Sequence, residues 1–194
     1  MSDDFPGKAP SERRDKRRLT HVSRGGRPRM VDVSAKPPTA RRATAEAFVT
    51  LEQETISAIV DGQVTKGDVL TVAEMAGVMA AKRTSDLIPL CHPIPLTDVV
   101  VEITPDRSAG GVRVRASAAT VAGTGVEMEA MTAAAVAALT VYDMVKGVDR
   151  SATVRDLELV EKIGGKSGEW HRPVVRRQAD KQKPGARGPR RGQR

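Results

Sequence analysis

Aromatic side chains are nearly missing from this sequence: two phenylalanines, one tyrosine and one tryptophan in 194 residues. A core without bulky rings has to be assembled from Ala, Val, Leu, Ile and Met at close helix and sheet contacts. Cysteine is as scarce. The single Cys91 excludes an internal disulfide, and because His92 is adjacent to it while His21 and His171 lie in the tails, a structural Cys/His zinc site is not expected. No secretory signal pattern is present, and no uninterrupted apolar run of about 18 residues reads as a membrane span. The expectation is a soluble, cytoplasmic, single-domain protein with no metal centre, long enough for one real core.

An excess of one charge is also missing from the middle of the chain, although the whole carries a net charge of +8. Residues 1–29 hold nine Lys/Arg and four Asp/Glu, and residues 171–194 hold nine and one, which leaves fourteen against nineteen for residues 30–170. The basic character therefore belongs to two tails rich in Arg, Lys, Pro and Gly. Neither has apolar periodicity, so both are expected to be disordered, solubilising extensions that touch nucleic acid weakly if at all.

What is present in the body is a clear alternation of strand and helix patterns. MVDVSAK (30–36) is a short extended piece. Ala45, Ala47, Val49 and Leu51 alternate with Glu46, Phe48 and Thr50, the pattern of a half-buried strand. Thr50 and Gln53 offer a capping box for a short helix through Ile56, Ile59 and Val60. A second helix is expected from Asp68 to Arg83. Residues 85–96 contain Pro89, Pro93 and Pro95 and cannot form a regular helix, yet they are rich in Leu and Ile, so a rigid, partly buried loop is expected. Two strands at 98–104 and 111–121 form a hairpin. A long helix over Gly123–Arg150 follows, with Thr124 and Glu127 as a second capping box, and a last strand covers 154–163. Strand, helices, strand, strand, helix, strand is the ferredoxin-like α+β arrangement: an antiparallel sheet with helices on one face.

Several residues could carry chemistry. Asp143 and Lys146 are neighbours on one face of the long helix, although an i,i+3 surface pair explains them equally well. Glu129 shares roughly that face, but fourteen residues at about 1.5 Å each put it about 21 Å away. No small molecule bridges that distance, so one site using both ends needs two subunits. Lys66 sits in a loop, where lysines are usually solvated. Cys91 needs a nearby base to act as a nucleophile, and adjacency to His92 does not supply the geometry. GGKSG (164–168) is half of a phosphate-binding loop, whose backbone N–H groups could assist anion binding.

Taken together, KGDV from Lys66, AKRTSDLIPLCHP from Ala81, TGVEMEAMTAAAVAALTVYDMVK from Thr124 and GGKSG from Gly164 resemble the molybdenum cofactor biosynthesis protein C family. These are the cyclic pyranopterin monophosphate synthases. The resemblance runs over about residues 30–169, with MVDVSAK at its front edge. It implies a ferredoxin-like lyase that converts 3′,8-cyclo-7,8-dihydroguanosine triphosphate, made from GTP, to cyclic pyranopterin monophosphate and diphosphate. It further implies a homohexamer built as a trimer of dimers, with sites where subunits meet.

By the same resemblance Lys66, Asp143 and Lys146 are catalytic, with Asp143 orienting Lys146 or relaying its proton. One lysine would stay a protonated acid while the other, its pKa lowered by burial or a like charge, serves as base. Leu90, Cys91, His92, Met128 and Glu129, with Glu127 alongside, match the family's substrate-binding segments. Arg41, His92, Lys162 and Lys166 are candidates for the triphosphate end. Some relatives carry a lysine where this chain has Gly123. No cofactor is implied, and Mg2+ would enter only with the diphosphate. The competing reading is a ferredoxin-like RNA-binding module that uses the basic tails, but Phe5, Phe48, Tyr142 and Trp170 do not make the paired sheet aromatics that base stacking needs. A catalytically inert regulatory oligomer is a third.

Overall fold

Small residues set the spacing of this fold. The computed structural model describes residues 27–166 and 168–173, so the expectation of disordered tails falls largely outside it. Five strands, β1 (Thr39–Thr50), β2 (Leu96–Asp106), β3 (Gly111–Ala122), β4 (Thr153–Gly164) and β5 (Trp170–His171), form one sheet in the order β2-β3-β1-β4-β5. Every pairing is antiparallel. Helices α1 (Gln53–Val60), α2 (Val69–Ala81), α3 (Thr84–Leu87) and α4 (Glu127–Val145) complete the elements of the described residues. This is the expected ferredoxin-like order. The edge strand β5 was not foreseen, and its pairing of His171 with Glu161 carries the sheet one residue beyond position 170.

The core lies between the sheet and α4. Ala43, Ala45, Ala47 and Val49 of β1 and Val112, Val114, Ala116 and Ala118 of β3 face Ala130, Ala133, Ala134, Ala137, Ala138 and Val141, all buried in one cluster. Alanine faces on both layers bring the helix close to the sheet, which compensates for the missing aromatics. The second helix crosses α4 at Gly77. A Cβ there would stand 3.0 Å from the carbonyl oxygen of Ala133 and 3.2 Å from the Cβ of Ala137, so a side chain would push the helices apart. Although its apolar run is interrupted by charged residues, α4 has the length and mean hydropathy to cross a membrane. Here it is the core helix, with ten of its residues buried.

Three local expectations are corrected. Phe48 was placed on the open side of its strand, yet it is 4% exposed. The guanidinium groups of Arg155 and Arg113 cover its ring, at 4.5 and 5.7 Å from the centroid. The Thr50–Gln53 capping box does not form: Glu52 is the N-cap, and Thr50 Oγ1 accepts from Arg155 Nε at 2.8 Å. Nor does the Thr124–Glu127 box, because α4 begins at Glu127 itself, after Val126. The first three residues of the 85–96 segment belong to the single turn of α3, which ends before Pro89.

Candidate active site

Two groups of polar residues form at opposite ends of α4. At the C-terminal end, the loop between α1 and α2 brings Lys66 to the helix. Its Nζ donates to the carbonyl oxygen of Asp143 at 2.5 Å and to Asp143 Oδ2 at 3.3 Å. Lys146 Nζ stands 2.6 Å from Asp143 Oδ1, so one carboxylate holds two ammonium groups. Asp68, the N-cap of α2, accepts from Thr71 N–H at 3.1 Å and fixes the far side of the loop.

Hydrogen bonds from Lys146 and Lys66, with the charges behind them, hold the Asp143 carboxyl below the ordinary carboxylate range. The same contact with Asp143 raises Lys146 above the usual lysine value. Of the two lysines, Lys146 therefore suits the one that stays a protonated acid, because it is solvent-exposed and its nearest charge is the opposite one of Asp143.

At the N-terminal end a cavity of about 330 Å³ is lined by Val31, Val33, Lys36, Leu90, Cys91, His92, Thr124, Gly125, Glu127 and Met128. The 30–36 segment forms one wall, and His92 Nε2 stands 2.7 Å from the carbonyl oxygen of Val31. A carbonyl only accepts, so that contact needs the proton on Nε2. Glu127 Oε1 pairs with Lys162 Nζ at 3.4 Å, which sets Lys162 at the margin of the cavity. Arg41 donates from Nε to the carbonyl oxygen of Ala122 at 3.1 Å, two residues before the Thr124–Gly125 part of the wall. Its guanidinium lies across Gly165, where a Cβ would come 2.5 Å from Nη1. Lys166 stands exposed on the same turn.

Glu129 is placed differently from its neighbours. It is 3% exposed and sits behind the wall, with Oε1 receiving a 3.5 Å contact from Cys91 Sγ and Oε2 without a partner. Burial raises its pKa. Burial, then the charge of Glu129, pushes the Cys91 thiol up to about 11. Cys91 is therefore a neutral thiol at physiological pH and no nucleophile.

The structure thus joins Lys66, Asp143 and Lys146 in one cluster and Leu90, Cys91, His92, Glu127 and Met128 in one cavity, with Lys162 and Arg41 beside it. It does not join the two groups within a chain. Val31, Val33, Lys36, Thr124 and Gly125 were missed as cavity residues. MVDVSAK signals Lys36, since that motif ends on it.

Among the described residues, one set of side chains has the donor atoms for a cation: Glu161, Glu169 and His171, within 4.8 Å of one another. The imidazole itself occupies the middle, with Nδ1 3.3 Å from Glu161 and Nε2 2.6 Å from Glu169.

The profile of the family described as "MoaC family" matches residues 30–165. The chain belongs to the MoaC family. It is similar to the "Cyclic pyranopterin monophosphate synthase" of Brucella ovis, 54% identical over 153 residues, which cover 79% of this chain and 93% of that protein. The protein of the same name from Thermomicrobium roseum is 54% identical over 154 residues, with the same shares covered. Both clusters lie inside the family match, and Lys166 falls one residue beyond it.

Proposed function

We propose that this chain is a cyclic pyranopterin monophosphate synthase of molybdenum cofactor biosynthesis, a lyase that releases diphosphate from the cyclised dihydro-GTP. What supports the reading, beside the relatives' name, is the convergence of Lys66 with Asp143 and Lys146 from segments far apart in sequence. Loss of diphosphate builds negative charge on the leaving oxygens, and two ammonium groups held by one carboxylate are arranged to receive it.

Lys146, held protonated by Asp143, is assigned as the general acid. Asp143 orients both lysines and relays a proton between them when the incoming phosphates compete for their charge. Lys66, the second catalytic lysine, completes the acid/base pair. The cavity at the other helix end takes the ring system: Glu127, Glu129 and the loop carbonyls of Leu90, Cys91 and His92 accept from its N–H groups, and Met128 packs on its face. Arg41, His92, Lys162 and Lys166 bind the triphosphate, joined by Lys36, whose place in the cavity wall suits that role.

One helix length separates the two groups, so the reading requires a homo-oligomer in which the C-terminal cluster of one subunit meets the cavity of another. A hexamer made of dimers is the assembly we infer. The reaction transfers no electrons and calls for no redox cofactor. Mg2+ would enter with the diphosphate, and a GTP-derived substrate favours the cytoplasm as the working compartment. Purified protein given the cyclised nucleotide should release diphosphate. No release from the oligomer under conditions where a characterised synthase turns over would overturn the reading in favour of an inert regulatory oligomer.

A further inference from the structure

Among the described residues two carboxyl side chains are buried, Glu129 and Asp149, and only the first belongs to the cavity wall. Asp149 is 1% exposed and lies six residues after Asp143, just beyond α4, where its own N–H donates to the carbonyl oxygen of Val145 at 2.9 Å. Its carboxylate is fully engaged. Oδ2 accepts from the Glu52 N–H at 2.8 Å, and Oδ1 accepts from the Ser151 N–H at 3.0 Å and the Ser151 hydroxyl at 2.8 Å. Burial pushes the Asp149 carboxyl up, but the hydrogen bonds from Glu52, Ser151 and Thr55 outweigh it and leave the group below its ordinary pKa.

Glu52 is the N-cap of α1, and it makes no side-chain cap of its own. The cap comes instead from Asp149, ninety-seven residues away. That helix is short and has few other holds. Its buried apolar residues are Ile56 and Ile59, and its main packing partner among the elements is β3. From its far end the chain runs straight into the loop that carries Lys66, whose other side is secured by Asp68 on α2.

We propose that Asp149 is a positioning residue for the Lys66–Asp143–Lys146 cluster: by capping α1 from the exit of α4, it ties the segment carrying Lys66 to the helix end carrying Asp143 and Lys146. The proposal rests on Lys66 being catalytic, as read above.

The test uses the full chain with Glu52→Pro and Asp149→Asn. Glu52 has φ −68°, inside the range proline imposes, so the substitution deletes the N–H that Asp149 accepts without forcing the backbone. Asp149→Asn removes half of the acceptor set; should it fail to fold, Glu52→Pro decides. Two quantities are read on protein shown to be folded by circular dichroism. One is kcat against KM. The other is the 15N–1H signal of the Lys66 ammonium group, assigned by its loss in Lys66→Ala. The expected result is a fall in kcat of roughly ten- to a hundredfold with KM within about twofold, as for a displaced catalytic group. The Lys66 signal should broaden into solvent exchange. A folded Glu52→Pro protein with wild-type kcat and an unchanged Lys66 signal would overturn the proposal. So would a loss of activity that tracks the unfolded fraction while the signal stays sharp. If wild type releases no diphosphate, the catalytic reading fails instead, and the Lys66 signal alone still decides the role of Asp149.

Discussion

Lys66 Nζ lies 2.5 Å from the main-chain carbonyl oxygen of Asp143 and 3.3 Å from its Oδ2, so a lysine from a distant loop closes the C-terminal end of α4. That end carries the negative pole of the helix dipole and unsatisfied carbonyls, both of which favour a cation. Lys146, at the C-cap, adds a second ammonium group on the opposite oxygen of the same carboxylate. The helix terminus thus organises two positive charges around one negative one, leaving the cluster with a net positive charge for a phosphate-bearing ligand.

Lys66→Ala and Lys146→Ala are each expected to lower kcat by about 10²–10⁴-fold, the range for loss of a positioned acid or base. Asp143→Asn should fall in the same range because both lysines lose their shared anchor. Diphosphate release under saturating cyclised nucleotide measures all three. Full activity in both lysine variants would remove the catalytic assignment.

The ion pairs also set a pH window. Asp143 has a lowered pKa in the folded chain, so its contribution to stability is present above the unfolded value, near 3.8, and is lost as pH falls through the lower folded value. Lys146 has a raised pKa, so its contribution is present below the unfolded value, near 10.5, and is lost as pH rises through the higher folded value. Thermal melts of wild type and Asp143→Asn should therefore differ across neutral pH and converge at both extremes. A difference that persists in strong acid would contradict the linkage.

Glu129 behaves in the opposite sense. A buried carboxylate oxygen without a partner costs about 1–3 kcal/mol when ionised. Because its pKa is raised, that cost is present at neutral pH and disappears as the group protonates on acidification. Glu129→Met is expected to raise the melting temperature at pH 7 while weakening substrate binding, and the stabilisation should shrink in acid. Lowered stability at neutral pH would show that the carboxylate is satisfied in the assembled protein.

Removing residues 1–29 and 174–194 is expected to leave kcat and KM unchanged, because both polar groups lie within 36–162 apart from Lys166. Any RNA binding by the full chain should fall steeply with salt and vanish on truncation, since it would rest on tail charge alone. Salt-dependent binding that survives truncation would revive the RNA-binding reading, against the burial of Phe48 beneath Arg113 and Arg155.

Much of this was legible in the sequence because the periodic segments are long. The alanine faces of β1 and α4, the β2–β3 hairpin and the start of α2 near Asp68 follow directly from pattern. The failures lie where a distant group competes for a local one. Thr50 was taken from its capping box by Arg155, and α1 received its cap from Asp149, a partner no window of a few residues contains. Glu127 cannot serve as N3 of a box because its carboxylate is drawn to Lys162 and α4 starts at that residue. Phe48 looked solvent-facing because nothing in the alternation shows two arginines from neighbouring strands folding over it. Spacing did show that the two helix ends could not share one site within a chain. The cavity at one end, and Lys36 in its wall, needed the 30–36 segment in place.

That separation leads to the most demanding expectation. If the cavity around His92 is completed by Lys66, Asp143 and Lys146 of another subunit, a Lys66→Ala chain and a His92→Ala chain are defective in different halves of each site. Each homo-oligomer should be inactive. After mixing under conditions that allow subunits to exchange, a two-fold interface pairing one chain of each kind contains one site with both defects and one with neither. Random pairing then restores roughly a quarter of wild-type activity, because about half of the dimers are mixed and each holds one intact site. Size-exclusion chromatography should show the oligomer throughout, so the recovery cannot come from assembly itself. If both groups belonged to one site within a chain, mixing would restore nothing, since every site would keep one defect. No recovery from chains shown to exchange would therefore return both groups to a single subunit and leave the length of α4 between them unexplained.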